Sequence, residues 1–140
     1  MTIQTHLQIV GLLLMVLGGA NVVLPRHFGW KQDLAAVPML TRRVFWVHLV
    51  FLILTLEMFG CLTYFYAGDL LRAGSLGAAI LLGMALFWWT RFFFQWFVYD
   101  RELWVGNSVR TRIHYGVSLF WLYLAGTYTA AGWRGLSNLL

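Results

Sequence analysis

Charge is what this chain has least of. Asp and Glu total 5 and Lys and Arg 10 in 140 residues, 11% in all, whereas an ordinary soluble domain carries roughly 25%. So few charges cannot coat a water-soluble globule, and the composition selects a membrane protein. Cysteine occurs once, as Cys61 in an apolar stretch, which excludes an intrachain disulfide framework and a cysteine-rich metal site and leaves a small packing residue. Proline occurs twice, Pro25 and Pro38. Motifs of soluble enzymes are missing: there is no GxSxG, no phosphate-binding glycine loop, no CxxC and no usefully spaced pair of carboxylates. Low-complexity tracts and internal repeats are absent as well.

What is abundant is oil. Hydrophobic residues make up 61% and aromatics 18% of the chain, and they fall in four blocks. The blocks predict an all-α, four-transmembrane-helix bundle with helices at 7–24, 44–67, 76–99 and 113–133, a single domain over 1–140. An 18-residue helix rises about 27 Å, close to the hydrocarbon thickness of a bilayer. Strands are excluded because an open sheet would leave backbone groups unpaired in lipid, and the blocks lack the alternation of a barrel. The first block starts at Leu7 with no basic region before it and no small-residue cleavage site after it, so it reads as a retained helix. Residues 25–43 form an interfacial segment with Trp30, and the link after the second helix is a short hydrophilic turn.

Basic residues set the orientation. Arg26, Lys31, Arg42, Arg43, Arg101, Arg110 and Arg112 gather on one face, against Arg72 and Arg134 on the other. Lys and Arg near helix ends are held in the cytoplasm, so both termini are expected outside it. The formal net charge of +5 needs no nucleic acid as partner, because topology alone demands flanking bases. Trp30, Trp46, Trp96, Trp104 and Trp133 fall near expected interfaces, with Trp88, Trp89 and Trp121 deeper.

Polar residues inside the apolar blocks are the candidate sites. Glu57 lies thirteen residues into the second helix, about 20 Å from its cytoplasmic end. An ionised group there costs roughly 2.5–3.5 kcal/mol on insertion scales, so it faces the bundle interior, finds a partner or takes up a proton. Arg91, about 12 Å deep in the third helix, is either that partner or a side chain that snorkels to the nearer surface. Arg91 and Gln95 are four apart on one face, a polar stripe that points inward or to another subunit and leaves Phe92, Phe93 and Trp96 for lipid or a neighbour. A structural role in fixing helix register stands here beside a proton or ligand role. Asn21, near the end of the first helix, and the face His114, Ser118, Trp121 and Ala125 of the fourth supply further hydrogen-bonding groups.

His27, His48 and His114 all belong to the basic side, with Asp100 and Glu102 in the nearby loop, a set that would ligate haem iron or another metal if brought together. No HxxxH or ExxH occurs, and His48 lies nine positions before Glu57, which puts these two on opposite faces. His6 lies near the other surface, outside this cluster. Gly11, Gly18, Gly19, Gly77, Gly83, Gly116 and Gly126 mark expected close helix contacts, although a strict GxxxG is absent.

The stretches LPRHFGWK, LTRRVFWVH and RFFFQWFVYD resemble those of a family of small four-helix bacterial integral membrane proteins with no assigned activity. The resemblance implies the cytoplasmic membrane of a bacterium and carries over no catalytic residue. In helix count and length the chain also resembles the sterol C4-demethylation scaffold family, which implies tethering without active-site chemistry.

Three functions follow, in this order. The first is a non-catalytic accessory or scaffold subunit of a larger membrane complex, or a homo-oligomer. The second is a redox protein holding haem, metal, quinone or pigment through His48 and His114 with His27. The third is a small proton-coupled transporter centred on Glu57 and Arg91.

Overall fold

A computed structural model describes residues 1–98 and 108–138. Asp100, Arg101, Glu102 and Trp104 lie outside the described residues, as does the side chain of Arg110. Every regular element among the described residues is a helix: α1 (Ile3–His27), α2 (Trp30–Asp33), a 3-10 turn (Leu34–Ala36), α3 (Met39–Phe65), α4 (Ala67–Arg72), α5 (Gly74–Phe97) and α6 (Ser108–Ser137). Among them α1, α3 and α5 are long and apolar enough to cross a membrane. The helix of 30 residues, α6, is the longest but carries more polar groups, Arg112, His114, Ser118, Thr127, Thr129 and Arg134 among them.

Each long helix begins before its predicted apolar run; α1 and α6 also end beyond theirs, whereas α3 and α5 end two residues short. Where the sequence predicts 7–24, 44–67, 76–99 and 113–133, the helices reach 3–27, 39–65, 74–97 and 108–137. Intrahelical hydrogen bonding does not stop where side chains become polar, so segments such as Ser108–Arg112 extend a helix beyond the part that would sit in hydrocarbon. Contacts divide the chain into two compact units, residues 8–67 and residues 1–7 with 68–140.

In the 8–67 unit, α1 and α3 run antiparallel and approach closely at their glycines. A Cβ on Gly11 would stand 2.6 Å from the Tyr64 nitrogen and 2.8 Å from the Gly60 oxygen, and one on Gly60 would meet Met15. Small residues permit this approach where lipid gives no hydrophobic contrast between helices. Leu56, Gly60 and Thr63, spaced by four and three, are the buried positions of α3. Between these helices the chain reverses at Gly29, whose φ of 67° is left-handed and accessible to glycine without penalty. Val37 is extended (φ −87°, ψ 141°), as the ring of Pro38 requires of the residue before it. Arg42 then donates from Nη2 to the Val37 carbonyl at 3.3 Å, fastening the connection to the first turn of α3.

In the other unit, α4 carries an exposed Arg72–Asp69 ion pair of 2.9 Å. Gly74, with φ 60°, turns the chain into α5. Ala78, Leu81, Met84, Ala85, Trp88 and Gln95 are the buried face of α5, a three-and-four spacing that lays one stripe against a neighbour. The antiparallel neighbour is α6: Gly135 meets Ala78 at one end, Gly132 meets Leu82, and His114 meets Gln95 at the other. Ser118, Trp121, Leu124, Ala125, Tyr128 and Ala131 are buried on α6.

Candidate functional site

Helical periodicity builds the polar site on α5 and α6. Arg91 and Gln95, four residues apart, lie one above the other on α5, and Arg91 Nη1 donates to Gln95 Oε1 at 3.3 Å. A guanidinium has donors only, so it fixes which end of the amide it faces. Gln95 Nε2 is therefore the donor to His114 Nδ1, 3.0 Å away on α6. That ring nitrogen must accept, which places the proton of the neutral imidazole on Nε2. Gln95 is only 4% exposed, so the two bonds replace the hydration its amide has lost. Below His114, Ser118 Oγ donates to the His114 carbonyl at 2.8 Å, and the Trp96 ring meets the imidazole edge-on at 5.1 Å.

An aromatic layer supports this chain of bonds. Trp88 and Trp121 stack across α5 and α6 with centroids 5.2 Å apart and planes 10° from parallel. Arg91 Cζ lies 4.9 Å from the Trp121 ring centroid, within range of the attraction between a cation and an aromatic face. The indole N–H groups of Trp88 and Trp121 are buried with no acceptor among the described residues. Next to Trp88 in the chain, Trp89 donates from Nε1 to Thr129 Oγ1 at 3.1 Å, a second polar link between these helices. His6 Nδ1 and the Tyr123 hydroxyl, 2.9 Å apart, link α1 to α6.

The other polar residues lie in the 8–67 unit. Glu57 is half-buried, and its carboxylate occupies the space that a Cβ on Gly18 would need. Glycine at 18 thus makes room for the acid on the opposing helix. Asn21 donates from Nδ2 to the Leu17 carbonyl of its own helix at 2.7 Å. His48 Nδ1 bonds the Val44 carbonyl at 2.8 Å, and His27 stacks edge-on against Phe28 at 5.2 Å.

Arg91, Gln95 and His114 are thus brought together, whereas Glu57, Asn21, His27 and His48 belong to the other unit. No group of three or more His, Cys, Asp or Glu side chains able to hold a metal ion occurs among the described residues. Sequence reasoning missed the Trp88–Trp121 stack, the Trp89–Thr129 link and the His6–Tyr123 pair; each joins residues far apart in sequence, and no local spacing signals them.

No family model, curated protein or solved structure matches this chain.

Proposed function

We propose that the protein is a four-span integral membrane protein, both termini outside the cytoplasm, that serves as a non-catalytic accessory subunit of a membrane assembly. The fourth span is α6. It follows α5 from Gly135, beside Ala78, to His114, beside Gln95, and the helix rises about 31 Å between them, close to the hydrocarbon thickness. A helix flanking a membrane-crossing helix over that length shares its slab. Its lower apolar content is compatible with this, because Ser118 and Thr127 are buried and not presented to lipid.

The observation that carries the accessory role is how the intramembrane polar groups are used. Both ends of the Gln95 amide are consumed in joining Arg91 to His114. Asn21, Ser118 and Thr129 bond backbone carbonyls of their own helices. The Gln95–His114 and Trp89–Thr129 bonds fix the register of α5 against α6, while the own-helix bonds engage Asn21 and Ser118 locally. The surface beside them is aromatic: Phe93, Phe94, Trp96 and Phe97 are all exposed, and aromatic rings are the side chains most favoured at protein interfaces.

Native purification from its own membrane in mild detergent, followed by mass determination of the intact particle, tests this reading. The expected result is a particle of defined stoichiometry containing further subunits. Recovery as a lone monomer overturns it.

A further inference from the structure

The 8–67 unit contains a cleft of about 560 Å³, bounded by the last turns of α1, by α2 and by the first half of α3. Its walls are apolar, with Val22, Leu49, Val50 and Ile53, while Arg26 and Lys31 line it where α1 ends and α2 begins. We propose that this cleft binds one anionic phospholipid of the surrounding bilayer, with its phosphate between Arg26 and Lys31 and an acyl chain along Leu49, Val50 and Ile53. The assignment goes beyond the accessory role and rests only on α1 and α3 crossing the membrane.

Three features select this occupant. The first is charge: no lining residue is acidic and two are cationic, and basic pockets between membrane helices are suited to phosphate headgroups. Asp33, two positions beyond Lys31, is not part of the lining. The second is polarity along the cleft. From Trp46 to Ile53, α3 rises about 10 Å, so one site offers donors at the interface and hydrocarbon beneath them, as an amphiphile requires. The third is shape. Gly29 reverses the chain with a positive φ and brings Lys31, four residues after α1 ends, to the same opening as Arg26. The volume lies within the roughly 300–1,000 Å³ usual for small-molecule sites.

The test reconstitutes the full chain in vesicles of equal phosphatidylglycerol and phosphatidylcholine, re-extracts it in mild detergent, and counts the lipids retained per chain. The wild type is expected to retain about one phosphatidylglycerol in excess over phosphatidylcholine. Removing each charge should lower that excess about fivefold, as about 1 kcal/mol per base near an anionic surface implies, so R26Q/K31Q should abolish it. Val50→Trp, which fills the apolar wall and leaves both charges, should also abolish it. The control R43Q removes a base that does not line the cleft and should retain the excess. Equal retention of both lipids by the wild type overturns the proposal, as does an equal loss in R43Q. Displacement of the lipid by millimolar inorganic phosphate overturns it too, because the site would then take the anion without the chain. These outcomes are independent of whether partner subunits co-purify.

Discussion

Gln95 on α5 and His114 on α6 stand 3.0 Å apart, amide nitrogen to ring nitrogen, and the direction of that bond is imposed by Arg91 holding the other end of the amide. Interhelical hydrogen bonds in membrane proteins average about 0.6 kcal/mol, with a maximum near 1.7. Removing a hub that serves two partners also leaves both of them short of a bond. Gln95→Leu is expected to destabilise the fold by about 1–3 kcal/mol, measured as loss of helix on thermal unfolding in detergent. Gln95→Glu keeps an acceptor for Arg91 but offers no donor to His114, so it should recover only part of that loss. Nitrogen-15 spectroscopy of the wild type should find the His114 proton on Nε2 when the ring is neutral.

Three glycines of α1 make a graded set. At Gly11 an added methyl meets backbone, the Tyr64 nitrogen and Gly60 oxygen, which cannot move aside. Gly11→Ala should therefore cost about 2–3 kcal/mol, as overpacking does. At Gly18 the obstacle is the end of the Glu57 side chain, which can rotate, and Gly18→Ala should cost about 1 kcal/mol. Glu57→Ala should relieve that cost, giving a coupling energy in a double-mutant cycle. At Gly19 nothing lies within 4 Å, and Gly19→Ala should be neutral or stabilising by about 0.5–1 kcal/mol through helix propensity. Equal effects at all three positions would contradict the α1–α3 packing.

Much of this was open to reading in the sequence, and the exceptions share a cause. Four helical segments follow from apolar runs, because a backbone in lipid must satisfy itself. The Arg91–Gln95 stripe follows from a four-residue spacing. What spacing does not encode is the partner on another helix. Position along the chain groups His114 with His27 and His48, and in the fold its ring meets Gln95. Likewise Gly11, Gly18 and Gly77 are in close contact, while Gly19, Gly83, Gly116 and Gly126 face open space. Gly60, which no pattern within α3 distinguishes, meets Met15 and the Gly11 backbone of α1. A glycine's significance depends on what opposes it, a property of the fold and not of its own helix.

The stacked Trp88 and Trp121 couple α5 to α6 next to the polar chain, with Arg91 over the Trp121 ring. Truncation of a buried tryptophan costs about 3–5 kcal/mol when nothing refills the space, and a leucine refills part of it. Trp121→Leu should destabilise the fold by about 2–4 kcal/mol. It should also abolish the exciton signal that two parallel indoles give in circular dichroism. An unchanged signal would mean that the rings do not stack.

Labelling of single cysteines in intact cells, in a Cys61→Ser background, tests most directly whether the chain crosses the bilayer four times with its base-rich connections inside. Lys31→Cys should resist a membrane-impermeant thiol reagent until the cells are opened, while Arg72→Cys and Ser137→Cys should react at once. Immediate reaction at position 31 would contradict the orientation, and protection at position 137 would contradict the fourth crossing by α6.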